Sequence, residues 1–321
     1  MYAAVVRSFD HPPRYESFDV PVIKNENEVL VDVLAVGLHP RVRAGASDSH
    51  YTSIHTLPLI PGVDGVGLLP DGQQVYFVAP DTALGTMAEQ AVVNRRLSVP
   101  LPNGVDPVTI AAAMNPAMSS WLALRKRINF EAGQRVLILG ATGNAGQMAI
   151  QIAKHLGAEQ VIAAGRDPGL LDGLTHLGAE TIVSLAGDPE QAALRVGKAA
   201  ANVDVVIDYV WGQPAELIMP ALIARRSDSS HALKWIHIGS SAGVKIELYS
   251  ELLRQANFSI LGSGQGSIST EGIIAELPSL VKELAMGAIT VNAKSFPLSE
   301  VEAVWNAPTI PGQRIVFMPA N

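Results

Sequence analysis

A chain of 321 residues, 48 % apolar and 17 % charged, carries enough hydrophobic material for two domains, and a formal net charge of -7 leaves no general basic face for nucleic acid. With no cysteine, disulfides, thiolate zinc sites and cysteine nucleophiles are excluded. Charges and prolines interrupt the N-terminal MYAAVVRSFDHPPRYESFDVP and no later run is long enough to cross a membrane, so the cytoplasm is the expected location.

The first hundred or so residues hold short apolar runs, EVLVDVLAVGL, VYFV and EQAVV, separated by turn-forming clusters such as LIPGVDGVGLLPDGQQ. That texture is β-rich. From Pro107 the spacing becomes helical in PVTIAAAMNPAMSSWLALRKR, with an interruption expected at Pro116 and a domain hinge there. Strand and helix then alternate: RVLILG and QMAIQIAKHLG, QVIAAG and PGLLDGLTHLG, TIVSL and PEQAALRVGKAA, VDVVIDYV and PAELIMPALIAR, then KWIHIGS. Continuous Val/Ile/Leu strands between amphipathic helices predict a doubly wound parallel sheet, an α/β fold. After the helix GIIAELPSLVKELAMG, the runs ITVNAKSF and RIVFMP return to the β-rich part.

The turn GATGNAG joins the strand ending at Leu139 to a helix starting near Asn144, the context in which backbone N–H groups bind a pyrophosphate. Two glycine registers fit. Gly140, Gly143 and Gly146 give G-x-x-G-x-x-G, which resembles short-chain dehydrogenases. Ala141, Gly143 and Gly146 give A-x-G-x-x-G, a Rossmann fingerprint with Gly140 as the strand end. The first class needs a Tyr-x-x-x-Lys pair. The residues four beyond each tyrosine are Val6, Asp19, His55, Pro80, Gln213 and Leu253, none of them lysine. Ala141, Thr142, Gly143, Asn144, Ala145 and Gly146 are therefore the expected phosphate turn. About twenty residues on, Gly165, Arg166 and Asp167 mark the adenosine end. Arg166 offers donors to the 2′-phosphate of NADPH, whereas Asp167 would favour the 2′-hydroxyl of NADH. NADPH is the favoured cofactor.

VGLHPRVRAG, PGVDGVG, GTMAEQAVV, AAAMNPAMSSWLALRKR and GQRIVFMP, taken with the central A-x-G-x-x-G, make nearly the whole chain resemble the medium-chain dehydrogenase/reductase superfamily. Within it the chain is most similar to the zinc-free quinone oxidoreductase branch. The resemblance implies a β-rich GroES-like substrate domain, residues 1–116 with 267–321, and a Rossmann domain, residues 117–266. Where zinc-dependent relatives place cysteine and histidine ligands, this chain has Leu38 or His39 and Val63-Asp64, and the eight histidines lack His-x-x-x-His spacing, so no metal is expected. The expected function is zinc-independent hydride transfer from NADPH to a quinone or another activated α,β-unsaturated carbonyl. An enoyl or alkenal double-bond reductase and an idle NADPH-binding relative are the alternatives. The resemblance further implies a homodimer.

It also implies a ligand site lined by His39, Tyr51, Asn115 and Met118 and by Val210, Gly239, Ser240 and Gly262. His39 stands where the branch commonly has asparagine, as a proton donor or nicotinamide-positioning group, or as a turn histidine bonding the backbone ahead of Pro40. Tyr51 is a donor to the substrate oxygen or a packing residue. Leu185 replaces a tyrosine the branch often carries near the 2′-phosphate. GSSAG, residues 239–243, spells G-x-S-x-G, but the last histidine, His237, precedes Ser241, against the chain order of such hydrolases.

Overall fold

The computed structural model describes residues 1–50, 52–79, 82–308 and 310–319. The chain forms two compact units, Met1–Asn115 with Leu277–Asn321, and Pro116–Glu276.

The first unit contains β1 (Tyr2–Val5), β2 (Arg14–Ser17), β3 (Glu28–Leu38), α1 (Pro40–Ala46), β4 (Asp64–Leu68), β5 (Gln74–Val78), β6 (Gln90–Asn94) and β7 (Ser98–Pro100). Chain-terminal β14 (Asn292–Pro297), α9 (Val301–Val304) and β15 (Gln313–Met318) join it, once the second unit's elements have intervened. Its main sheet runs β14-β15-β3-β4-β5-β7, with β6 also on β3, while β1 and β2 form a separate antiparallel pair. β3 explains this sheet. Val29, Val31 and Val33 face inward in alternation, and from Ala35 to Leu38 every residue but Gly37 is a buried apolar one, because β4 and β15 flank that end. The core gathers Val31, Val33, Val36, Phe77, Val93 and Phe317.

Helix α2 (Pro107–Leu122) contains the boundary between the units. It passes through Pro116 instead of breaking there, then widens into a π-helical turn over Ala123–Arg127. Proline removes one ladder N–H, a cost of about 3 kcal/mol in a helix interior. Burial of Ile110 to Met114 on one side and of Ala117, Trp121 and Ala123 on the other supplies the tertiary packing that overrides it.

The second unit continues with β8 (Arg135–Leu139), α3 (Asn144–His155), β9 (Gln160–Gly165), α4 (Pro168–Leu171), β10 (Thr181–Ser184), α5 (Pro189–Ala199), β11 (Val205–Asp208), α6 (Gly212–Ile223), β12 (Leu233–His237), α7 (Leu252–Gln255) and β13 (Phe258–Gly262). α8 (Thr270–Ala285) contains the other boundary. All pairings in its sheet are parallel, in the order β10-β9-β8-β11-β12-β13. Winding therefore starts at β8, proceeds outward to β10, and resumes on the other side at β11. That reversal defines the switch point of a doubly wound sheet, outside the carboxyl ends of β8 and β11. Leu137, Leu139, Ile162, Val206 and Trp235 fill its core, as the unbroken apolar strands require.

Candidate functional site

At the carboxyl end of β8 the chain turns sharply. Gly140 has φ +83°, so it is the first turn residue and not the strand end, and its N–H and that of Ala141 both donate to Ala164 O at 3.0 Å. Gly143 is the N-cap of α3 and has no side chain to cap the helix, so the first-turn N–H groups receive no side-chain cap. A Cβ on Gly146 would lie 2.3 Å from Gly140 O and 2.6 Å from Ala141 Cα. Only glycine lets α3 approach the turn this closely. Gln147 Nε2 donates to Thr142 O at 3.1 Å and braces the loop. Ala141, Thr142, Gly143, Asn144, Ala145 and Gly146 thus form a compact cradle at the switch point.

The neighbouring strand end separates Arg166 from Asp167. Asp167 is the N-cap of α4, its Oδ1 accepting from Gly169 N at 2.9 Å, so its carboxylate is engaged in the helix start. Arg166 is exposed and has no hydrogen-bond or ion-pair partner among the described residues. Gly165 must be small as well, since a Cβ there would lie 2.7 Å from Thr142 Cγ2. Leu185 N donates to Gly165 O at 2.7 Å, setting the loop after β10 beside this corner. Arg195, which the sequence did not single out, holds that loop through Ser184 O at 3.0 Å and Ala186 O at 2.7 Å.

At the carboxyl ends of β11 and β12, the fully buried Asp208 organises the turn. Its Oδ1 accepts from Val210 N at 2.8 Å and Trp211 N at 2.9 Å, and its Oδ2 accepts from Trp235 Nε1 at 2.9 Å. Burial raises its pKa, against the lowering effect of these three bonds. The Asp208 carbonyl accepts from Ile238 and Gly239, and Val210 O from Ala242 N, so residues 208–212 and 238–243 are knitted together. Ser241 donates its hydroxyl to Tyr209 O at 3.0 Å, and no helix follows it until α7, so the strand-turn-helix of a hydrolase elbow is missing. Burial pushes the Tyr209 phenol up to about 12, with Ser119 Oγ at 2.9 Å. Gly262 closes β13, its carbonyl accepting from Arg127 Nε at 2.8 Å. Val210, Gly239, Ser240 and Gly262 therefore share one edge of the sheet with the glycine turn and with Gly165 and Arg166. Asn115 and Met118, three residues apart on α2, share a helix face and are partly buried.

His39 lies in the first unit, as the N-cap of α1 ahead of Pro40, and is 1 % exposed. Its ring faces a side chain, not the backbone. Nε2 is 3.1 Å from Asp64 Oδ1, an ion-pair separation without hydrogen-bond alignment, and Nδ1 has no partner among the described residues. Asp64 Oδ2 accepts from Tyr76 OH at 2.8 Å, and its carbonyl accepts from Thr86 Oγ1 at 2.7 Å. Arg314 Nη1 donates to Leu38 O at 3.1 Å; burial lowers this guanidinium to about 10, with the Asp64 charge acting in the opposite sense. Burial and then Asp64 drive the Tyr76 phenol well above its ordinary value. Five polar side chains, from α1's cap, β4, β5, β15 and the loop before β6, thus meet in a dry setting. Tyr51 lies outside the described residues. A nearby cavity of ≈ 50 Å³, bounded by Arg41, Val42, His50, Thr52, Ile60 and Val63, is far below the roughly 300 Å³ of a small-molecule site. Among the described residues no cluster of three or more His, Asp or Glu side chains could hold a metal ion, and no helix is long and apolar enough to cross a membrane.

No protein-family model matches the chain. It is 30 % identical to the probable NADPH-dependent quinone reductase tdiC of Emericella nidulans, over 99 % of this chain and 100 % of that one. The chain belongs to the quinone oxidoreductase-like branch of the medium-chain dehydrogenase/reductase superfamily. The quinone oxidoreductase of Thermus thermophilus, solved also as its complex with NADPH, superposes with a TM-score of 0.81 at 27 % identity, covering 99 % of this chain and 100 % of that one. The chloroplastic NADPH-dependent alkenal/one oxidoreductase of Arabidopsis thaliana is 31 % identical over 45 % of this chain and 41 % of its own. This superfamily member accordingly pairs a doubly wound nucleotide-binding unit with a GroES-like β unit.

Proposed function

We propose that this oxidoreductase transfers a hydride from NADPH to a quinone or another activated α,β-unsaturated carbonyl, without a metal, in the cytoplasm and as a homodimer. The observation that carries the reading is the corner at β8 and β9, where a ligand-ready helix start faces the switch point and Arg166 stands unpartnered beside an Asp167 already committed to capping α4. NADPH, when bound, supplies the hydride. The first-turn amides of α3 and the Ala141 to Gly146 turn would hold its pyrophosphate, and Gly165 and Arg166 its ribose 2′-phosphate. Val210, Gly239, Ser240 and Gly262, with Asn115 and Met118, would bound the nicotinamide end. His39, backed by Asp64, is the proposed proton-holding group, with Tyr51 as a donor to the acceptor oxygen.

The homodimer is supported by β13. It is an outer strand of the six-stranded sheet, and Ile260 and Leu261 on it are only partly buried. An unpaired, apolar strand edge is a pairing surface that a second copy would cover. Two measurements test the proposal. NADPH oxidation should follow addition of 1,4-naphthoquinone or trans-2-hexenal, and Arg166→Ala should weaken NADPH binding about tenfold or more while leaving NADH little changed. Tight NADPH binding with no oxidation by either acceptor would leave only a nucleotide-binding protein.

A further inference from the structure

Trp211 occupies a backbone conformation that belongs to glycine. Its φ of 50° and ψ of -157° lie in a region that a bulky L residue enters only under constraint. Among the described residues the other positive-φ positions besides glycine, Asp48 and Asn129, have short polar side chains that tolerate the left-handed region. Two features hold Trp211 there. Asp208 Oδ1 accepts from its N–H, and the following Gly212, at φ +58°, is packed so tightly that a Cβ would lie 2.8 Å from Ala242 O. Glycine at 211 would fit this turn without strain, yet the chain places its largest side-chain type there.

The indole stacks on His237, ring centroids 4.2 Å apart and planes at 33°. Burial lowers the His237 pKa and so favours the neutral imidazole, and His237 Nδ1 is buried without a partner among the described residues. Both rings sit at the carboxyl ends of β11 and β12, beside Val210 and Gly239, on the edge where an open parallel sheet takes its ligand. Trp211 packs against the core of its unit and keeps part of its surface exposed.

We propose that Trp211 is a specificity-determining residue, its indole held on His237 as the surface against which the planar ring of the hydride acceptor stacks, so that the site prefers fused-ring quinones to linear enals. This rests on the hydride-transfer reading above.

The test compares kcat/KM for 9,10-phenanthrenequinone and for trans-2-hexenal at saturating NADPH. In Trp211→Leu the ratio of the two should fall about fivefold to tenfold, through KM for the quinone, and Trp211→Phe should recover most of it. Trp211→Gly relieves the backbone and should show the same fall, which keeps the test open if the leucine variant does not fold. Equal losses for both acceptors, or an unchanged ratio, would overturn the proposal. If the wild type oxidises NADPH with neither acceptor, the hydride-transfer reading fails separately. Calorimetric binding of phenanthrenequinone to the NADP⁺-loaded protein then decides: weaker binding by the leucine variant supports the stacking surface, and equal binding removes it.

Discussion

Among the described residues each unit buries one aspartate at an end of a strand, and the two are served in opposite ways. Asp208, at the close of β11, is satisfied by neutral N–H groups of Val210, Trp211 and Trp235. Asp64, at the start of β4, faces side chains instead: the His39 imidazole, the Tyr76 phenol and, within its field, the Arg314 guanidinium. Neutral donors fix a carboxylate in one geometry, so Asp208 is a staple for the turn after β11. One unit thus holds its buried aspartate with neutral N–H donors and the other with side chains of ionisable type, and three changes test that difference.

The largest effect is expected for Asp64→Ala. It strips the acceptor from Tyr76, the counter-charge from buried Arg314 and the ion-pair partner from His39, and uncompensated buried charge is expensive. We expect a loss of about 3–5 kcal/mol, read as a lower urea midpoint. A loss below about 1 kcal/mol would show that the cluster carries no net charge interaction worth the name.

Asp208→Asn should cost less, about 2 kcal/mol, because the amide keeps one oxygen for the turn but sets its NH₂ against Trp235 Nε1–H. The penalty should also depend on pH. Burial raises the Asp208 pKa, so its favourable linkage is fully present below the ordinary value of 3.8 and is lost as pH rises through the folded value. Wild type and variant should differ more near pH 4 than at pH 7. A gap that widens towards neutral pH would mean that the ionised form is the one the fold prefers.

The fold was largely legible in the sequence because buried parallel strands are written as unbroken runs. RVLIL, QVIAAG and VVID need no distant information to be recognised, and the glycines of GATGNAG mark their turn locally. The aspartates were not legible. VVID ends in a residue that reads equally well as a turn, and DGVGL begins with one; what buries them comes from elsewhere. Asp64 depends on Tyr76, 12 residues on, and shares its setting with Arg314, whose hydrogen bond to Leu38 spans 276 residues. His39 likewise suggested a local backbone partner ahead of Pro40, and only the pairing of β4 with β3, which ends at Leu38, brings a carboxylate to its ring. Pro116 shows the same limit from the other side, since local chemistry says break and burial on both sides says continue. Nothing in the letters YVWGQ announces that a tryptophan takes a glycine's conformation.

The smallest expected effect sharpens the comparison most, because it asks whether the staple region contains any proton chemistry of its own. His237 is its titratable neighbour, and burial lowers its pKa while the Asp208 charge opposes that shift. The unfolded chain therefore takes up this proton first as pH falls. Stability from this site is present above the ordinary value of 6.5 and is lost as pH falls through the folded value. His237→Phe keeps a ring against Trp211, removes the unpartnered Nδ1 and abolishes the titration. At pH 8 its melting temperature should match or slightly exceed that of the wild type, and the advantage should grow between pH 7 and pH 5. An advantage that shrinks on acidification would mean that Asp208 binds an imidazolium after all, and neutral donors would then not be all that serves it.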